Sequence, residues 1–215
     1  MIRKISGVVF SAGMLFTSTA AFAHSHHDHG VPMSEMERQA SEGVFDDANV
    51  KARSLSDWDG VWQSINPWLL DGTLDPVLRQ KAKKGDKTVE QYRAYYKTGY
   101  ATDIDMIGIE NNVIEFHTGK TVAACDYTYS GFKILHYASG KKGVRYLFEC
   151  SDKNSQAPKY VQFSDHIIAP RQSQHFHIYM GNQSQDALLK EMENWPTFYP
   201  YSLSKDQIVD EMLHH

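Results

Sequence analysis

Apolar and polar residues alternate in a series of short runs that dominates the second half of the chain. These runs are rich in Ile, Val, Tyr and Phe, and Gly, Asn, Asp and Ser separate them. A period of two is typical of strands with one buried face. Together with an earlier run, the predicted strands are residues 57–65, 102–109, 113–117, 122–129, 132–137, 144–150, 160–163 and 175–180. About eight strands at regular spacing with tight turns predict an up-and-down antiparallel sheet or a small closed barrel.

Helical patterns lie on both sides of this series. Apolar residues three and four positions apart predict helices at 74–84, 88–97, 184–194 and 204–214. Ser34 and Glu37 form a capping-box pattern, which predicts a further short helix ending near residue 43. The fold class is therefore mainly β, an antiparallel barrel with additional α-helices.

The first 23 residues have the pattern of a secretory signal peptide. Arg3 and Lys4 precede a mostly apolar stretch at 5–16, and residues 21–23 read Ala-Phe-Ala. This order of charged, apolar and small residues predicts an exported, periplasmic protein from which residues 1–23 are removed. The apolar stretch is shorter than the roughly 20 residues that span a bilayer. Since no cysteine lies near the predicted cleavage point, we expect no membrane anchor.

Residues 24–30 form a His-rich segment with four histidines in six residues: His24, His26, His27 and His29. The segment has no apolar side chain to bury, so it is predicted to be a flexible tail. It is interpreted as a weak auxiliary metal collector, or as a lid that supplies one extra ligand. The alternative is a solvated leader of chance composition. The remaining residues, 31–215, are predicted to form a single domain.

Charge and cysteine content narrow the function. The chain has 22 basic and 26 acidic side chains and a formal net charge of −4. This balance disfavours nucleic-acid binding. The two cysteines, Cys125 and Cys150, do not form a C-x-x-C motif. In an oxidising compartment they are predicted to form a disulfide with a structural role.

Three histidines near the end of the strand series are the candidate metal ligands. His175 and His177 alternate within a predicted strand, so both imidazoles project from one face and Phe176 from the other. His166 follows the preceding strand by only a few residues, and a connection of this length can fold the two strands side by side. Three converging imidazoles suit zinc, copper, nickel or cadmium, and they leave one tetrahedral position open.

The other polar candidates are weaker. His117 and His136 are single histidines on strands and are interpreted as ordinary surface or packed residues. His214 and His215 end the chain and are expected to be exposed. Asp165 precedes His166, so its carboxylate is expected either to orient a ligand imidazole or to face water.

Several long and distinctive stretches are spread along the chain. They include LSDWDGVWQS at 55–64 and QFSDHIIAPR at 162–171. The others are residues 43–49, 99–103, 141–150, 175–178 and 191–196. These stretches resemble the ZinT (YodA) family of zinc-binding proteins, and the resemblance covers essentially the whole chain. The resemblance implies a calycin, lipocalin-like barrel, whose first strand carries the Gly-x-Trp of residues 60–62.

The same resemblance implies a function. It implies a three-histidine metal site at His166, His175 and His177, and recruitment of zinc under zinc shortage. It also implies cadmium binding and a response to cadmium stress, and a partner in ZnuA, the periplasmic zinc-binding component of an ABC importer.

Two other functions remain open. An open three-histidine site is also how a zinc-dependent hydrolase or hydratase activates water, although only Asp165 lies near enough in sequence to act as a general base. A lipocalin-type carrier of apolar ligands would need a roomy interior, whereas the many aromatic residues predict a filled one.

Overall fold

Eight antiparallel strands close into a barrel in the computed structural model of the protein, which describes residues 33–214. The predicted signal peptide, the His-rich tail and His215 lie outside the described residues. The strands are β1 (Gly60–Ser64), β2 (Met106–Glu110), β3 (Val113–Thr118), β4 (Thr121–His136), β5 (Lys142–Cys150), β6 (Tyr160–Ser164), β7 (Phe176–Gly181) and β8 (Thr197–Pro200). Each strand pairs with the next one in sequence, and β8 returns to pair with β1. The predicted antiparallel barrel is confirmed.

Two of the predicted strands are in fact one. The predicted strands at 122–129 and 132–137 are parts of β4, which runs from Thr121 to His136, and the Ser-Gly pair at 130–131 is not a turn. The pairing register with β5 shifts between Tyr129 and Gly131, and Gly131 has φ +115. A residue inserted in this way is a β-bulge, which bends a strand without ending it, and glycine permits the positive φ. Glycine therefore bends the barrel wall where the sequence pattern indicated a hairpin.

The strand that closes the barrel is missing from the sequence prediction. β8 has four residues and follows the Trp-Pro pair at 195–196, which comes directly after the helix predicted over 184–194. It pairs with both neighbours: Ser64 of β1 opposes Phe198, and His177 of β7 opposes Thr197. The predicted number of strands is thus right, but one member is split and another is absent.

Five of the six helices in the described residues lie where helices are predicted, and α2 was not predicted. They are α1 (Glu35–Ser41), α2 (Asn66–Leu70), α3 (Asp75–Lys84), α4 (Val89–Gly99), α5 (Gln185–Leu189) and α6 (Lys205–His214). Ser34 and Glu37 form the predicted capping box at the start of α1. Among residues 33–214, no helix combines the length and apolar character that a membrane crossing needs.

One helix is much shorter than predicted. The pattern indicated a helix over 184–194, but α5 ends at Leu189. The buried side chain of Arg145 provides the reason: its guanidinium donates to the carbonyl oxygens of Leu188 at 2.7 Å and Glu191 at 2.5 Å. The Leu188 carbonyl also accepts from the backbone N–H of Glu191 at 3.0 Å, so side-chain and backbone donors together satisfy the end of the helix.

Aromatic rings fill the interior of the barrel. Trp58 stacks on Phe163 with ring centroids 4.9 Å apart, and Trp62 meets Phe176 edge-on at 4.8 Å. Phe163, Phe176 and Phe198 are fully buried. Rings of this size in offset and edge-to-face contact give close packing rather than a ligand cavity.

A second apolar cluster lies outside the barrel wall, between the wall and the helices. It contains Ile65, Trp68, Leu69, Leu74, Leu78, Tyr100, Tyr199 and Ile208. Since α2, α3, α4 and α6 all contribute to it, this cluster holds the helical layer against the strands. The barrel is therefore packed on both sides of the wall near β8.

Cys125 and Cys150 form the predicted disulfide, with Cα atoms 5.7 Å apart. Cys125 lies in β4 and Cys150 ends β5, and the register places Tyr127 directly opposite Cys150. The bond therefore joins two strands that are already neighbours in the sheet. The predicted pairing of the two cysteines is confirmed.

Candidate metal centre

The three candidate histidines come together on the outer surface of the barrel wall. β6 and β7 are antiparallel neighbours, with Ser164 opposite His177. Phe176 points into the barrel core, so the side chains of His175 and His177 point outward on either side of it. His175 lies one residue before β7 and is 7 % exposed, while His177 is half-buried and His166 is exposed.

His166 reaches the same spot because of its backbone conformation. It directly follows buried Asp165 and has φ +65, in the left-handed region that non-glycine residues seldom adopt. A conformation of this kind costs of the order of 1–3 kcal/mol and persists only where neighbouring contacts impose it. It turns the chain at the end of β6, so that the imidazole joins the two histidines of β7.

The geometry of the three rings fits a single metal ion. One ligand atom from each histidine lies within 4.8 Å of the other two. Nε2 of His166 is 3.3 Å from Nε2 of His177. Two nitrogens bound at ~2.05 Å in a tetrahedral site are about 3.3 Å apart, so this pair already has the spacing of metal ligands. The residues present therefore fit a zinc ion held by three imidazoles.

The hydroxyl of Thr197 is a hydrogen-bond partner of the His177 ring. Thr197 Oγ1 lies 2.7 Å from Nδ1 of His177 and donates to the carbonyl oxygen of Trp195 at 3.1 Å. With its hydrogen directed at that carbonyl, Oγ1 accepts from Nδ1 of His177 in the tautomer that carries the ring proton there. With the proton on Nδ1, the lone pair of Nε2 points towards His166 and is suited to a metal. Such outer contacts are the usual support of metal-binding histidines.

His175 is held between the barrel wall and the last helix. Its ring stacks on Tyr199 of β8, with centroids 5.0 Å apart and planes 13° from parallel. Its Nδ1 faces the carboxylate of Glu211 in α6 at 3.9 Å. Burial of the Glu211 side chain raises the pKa of its carboxyl group. The stack and the carboxylate together restrict the rotation of the His175 ring.

Sequence reasoning missed this supporting layer. Thr197 and Tyr199 of β8 and Trp195, two residues before that strand, alternate in sequence, and their side chains contact His175 or His177. Their spacing of two was the available signal, but the strand prediction did not include these residues. Glu211 lies far along the chain on another helix, and no local pattern connects it to a histidine.

Asp165 takes neither of the two positions expected from the sequence. Its side chain is fully buried, and Oδ1 accepts from Nη1 of Arg53 at 2.6 Å and from the backbone N–H of Ile167 at 3.2 Å. It therefore turns into the barrel end, away from both water and the ligand rings. This removes the one general base that the sequence offered for a hydrolytic site.

The remaining described histidines lie apart from this cluster. His117 is half-buried beside Glu115, and His136 is exposed near Asp47. Exposed His214 lies with Nδ1 2.8 Å from the carbonyl oxygen of Asp210. Within residues 33–214, His166, His175 and His177 are the group of three whose ligand atoms converge.

The barrel, its filled interior and its external three-histidine centre define a lipocalin-like protein with a site suited to a divalent transition metal. Residues 36–215 match the family model described as ZinT (YodA) periplasmic lipocalin-like zinc-recruitment. The chain belongs to this family.

Curated relatives and solved structures give the same assignment. The chain is 49 % identical over 183 residues to the zinc-binding lipoprotein AdcA of Streptococcus pneumoniae serotype 4, which covers 85 % of this chain and 36 % of AdcA. It is 46 % identical over 175 residues to the probable metal-binding protein YrpE of Bacillus subtilis, covering 81 % and 69 %. The chain thus spans only about a third of AdcA.

The crystal structure of the Zn(II)-bound ZinT-like domain of Streptococcus pneumoniae AdcA has the same fold. It matches with a TM-score of 0.79 at 50 % identity, over 81 % of this chain and 97 % of that domain. At this identity the likeness extends to the sequence as well as the fold.

Proposed function

We propose that this protein binds one zinc ion through His166, His175 and His177 and recruits zinc outside the cytoplasm. The observation that carries the proposal is the convergence of three imidazole ligand atoms within 4.8 Å. The family description and the zinc-binding names of its relatives support the choice of zinc. Here zinc is the cargo of a binding protein and not the cofactor of a reaction.

The site suits capture and release. Imidazole is a neutral ligand, so three histidines leave a bound divalent ion with its full charge and with room for one further ligand. Exposed His166 gives an incoming ligand access to the ion, while buried His175 anchors it. If ligands of another protein replace the histidines one at a time, the metal can pass to that protein.

Binding is favoured over the alternative, a zinc-dependent hydrolase or hydratase. Such an enzyme needs a group placed to take a proton from bound water. Asp165 is committed to Arg53, and Glu211 faces Nδ1 of His175. We therefore assign neither carboxylate a catalytic role.

The test is calorimetry of zinc binding to the purified protein and to a variant in which His166, His175 and His177 are all alanine. We expect one tight site in the parent, absent from the variant. His175→Ala alone should weaken binding at least about tenfold, or about 1.4 kcal/mol. The matched control replaces His117 and His136, which lie outside the cluster, and should keep the parent's affinity. Unchanged affinity in the triple variant would refute the proposal.

The wider role is proposed on the same basis. We infer recruitment of zinc under shortage, delivery to the importer's periplasmic component ZnuA, and binding of cadmium, which also accepts imidazole ligands. Export to the periplasm is proposed from the signal-peptide pattern of residues 1–23. Transfer of zinc from the loaded protein to apo-ZnuA, and competition between cadmium and zinc, are the measurements. A failure of transfer would remove the delivery role and leave the binding site itself intact.

A further inference from the structure

The loop that carries His166 is attached to one buried side chain, that of Arg53. Arg53 lies before β1 and is 1 % exposed. Its Nη1 donates to Oδ1 of Asp165 at 2.6 Å, and its Nη2 donates to the carbonyl oxygen of Arg171 at 2.8 Å. The guanidinium therefore binds the loop on both sides of His166, at its first residue and five residues beyond the histidine.

Asp165 extends this attachment to the backbone on either side of His166. Its Oδ1 also accepts from the N–H of Ile167, so the carboxylate bridges the two residues on either side of His166. A side chain that bonds the backbone two residues on forms a local turn. Oδ2 is buried without a hydrogen-bond partner, so Arg53 supplies the charge compensation for this carboxylate. The turn thus depends on the ion pair.

Arg53 is itself held rigidly. Its Nε donates to Oδ2 of Asp57 at 2.7 Å, and its guanidinium stacks on Trp58, 4.0 Å from the ring centroid. Asp57 in turn accepts from the N–H of Arg171 at 3.1 Å, and its carbonyl oxygen accepts from Ser173 at 2.8 Å. The segment 53–57 therefore binds the stretch from Asp165 to Ser173 at several points along its length.

We propose that Arg53 is a positioning residue for the metal site: through Asp165 and the carbonyl of Arg171 it imposes the left-handed turn at His166 and so sets the 3.3 Å spacing between Nε2 of His166 and Nε2 of His177. Neither Arg53 nor Asp165 contacts the metal. The inference rests on the proposed zinc site and names the residues that preorganise it. Preorganisation of this kind raises affinity because the cost of ordering a ligand is met during folding.

The test compares Arg53→Lys and Asp165→Asn with Arg145→Lys. Lysine keeps the charge of Arg53 but lacks its forked donors, and asparagine keeps the shape of Asp165 but lacks its charge. Arg145 is the matched control because it is also buried, at 2 % exposed, and its donors go to the Gln162 side chain and to the carbonyls of Leu188 and Glu191 rather than to the His166 loop. His166→Ala is the reference for a site that has lost one ligand.

We expect Arg53→Lys and Asp165→Asn to bind Zn²⁺ about 10- to 100-fold more weakly than the parent, which is the usual effect of losing an outer-layer contact. Their Co²⁺ absorption spectra should approach that of His166→Ala. Without metal, the imidazole NMR signals of His166 should shift or broaden in both variants, while those of His175 and His177 stay near the parent's. Arg145→Lys should lower the unfolding midpoint but keep the parent's Zn²⁺ affinity and Co²⁺ spectrum.

A purely structural role for Arg53 gives a different result. Both variants would then lose stability, as Arg145→Lys does, and keep the Zn²⁺ affinity, the Co²⁺ spectrum and the His166 signals of the parent; this outcome overturns the inference. If Arg53→Lys does not fold, Asp165→Asn decides alone. Absence of zinc binding by the parent itself would refute the proposed function instead, so the two failures are distinguishable.

Discussion

The two faces of the barrel wall at β7 and β8 carry different kinds of residues and have different functions. On the inner face, Phe176 stacks with Phe198, with ring centroids 5.7 Å apart, and both are fully buried. On the outer face, His175 and His177 lie one residue to either side of Phe176, and Thr197 and Tyr199 lie one residue to either side of Phe198. The same two strands thus build the apolar core with one set of residues and the metal site with the other.

This difference shows how a lipocalin-like barrel can bind something without using its interior. The closely packed rings inside leave the wall rigid, and rigid strands hold ligands more precisely than loops do. The outer face can then carry polar groups at fixed positions, and the rings of His175 and His177 have partners from β8 and α6. Substitutions on each face separate its contribution to the free energy of unfolding from its contribution to zinc affinity.

The largest effect is expected from the inner face. Replacing fully buried Phe163 with alanine should lower the free energy of unfolding by about 3–5 kcal/mol, because it leaves a cavity beside Trp58. Urea unfolding of the metal-free protein measures it. Tyr201→Ala removes an aromatic ring that is 60 % exposed and should change the value by less than about 0.5 kcal/mol. Equal effects of the two substitutions would contradict a packed interior.

The disulfide is expected to have the next largest effect. Replacing both Cys125 and Cys150 with alanine should lower the free energy of unfolding by roughly 3 kcal/mol, since the bond closes a loop of 25 residues. Zinc stoichiometry and affinity should stay unchanged, because β4 and β5 carry none of the three ligands. Urea unfolding and calorimetry give the two quantities, and a weakened zinc site would show that the two regions are coupled.

A smaller effect is expected from the outer face alone. Thr197→Val keeps the shape of the side chain but removes the acceptor for Nδ1 of His177. Zinc affinity should fall about tenfold, the lower end of the range for outer-layer contacts. Thr121→Val, at an exposed position of β4, is the matched control and should have no effect on zinc. An unchanged affinity in Thr197→Val would mean that the hydroxyl does not select the ring tautomer.

The smallest effect on the tight site is expected from the His-rich tail. Deleting residues 24–29 should abolish additional weak zinc equivalents and leave the tight site occupied, because ordering a tail costs conformational entropy. Capture at low free zinc should be slower, since a tethered ligand raises the local metal concentration. Calorimetry and stopped-flow capture measure both. Loss of the tight site would instead make the tail a primary ligand.

The sequence predicted what depends on local pattern. Alternation located the antiparallel strands, and the H-x-H of residues 175–177 located the outward pair of histidines. It did not locate β8, because four residues beside prolines give too short an alternation. It also split β4, since a glycine that bends a strand and a glycine that turns a hairpin look alike in sequence.

The missing parts of the site share one cause. Arg53 contacts Asp165, and Glu211 contacts His175. Each pair joins segments that are far apart in sequence, and nothing in the local surroundings of Arg53 or Glu211 indicates the contact. The direction of Asp165 was open for the same reason: the carboxylate follows its distant cation. Contacts between remote segments are fixed by the closed fold and not by the neighbours in the chain.

The pairing of β8 with β1 has a consequence for the order of folding. All other pairs in the sheet join strands adjacent in sequence, whereas this pair joins the first strand to the last. Closing the longest loop is entropically the most costly step, so the ring is expected to close after the other pairs have formed. Thr197 and Tyr199 reach the histidines when β8 pairs with β7, whereas Arg53 precedes β1 and contacts Asp165, so the metal site is completed only when the first and last strands meet. A zinc ion that binds the finished site adds its binding free energy to the closed ring and opposes its reopening.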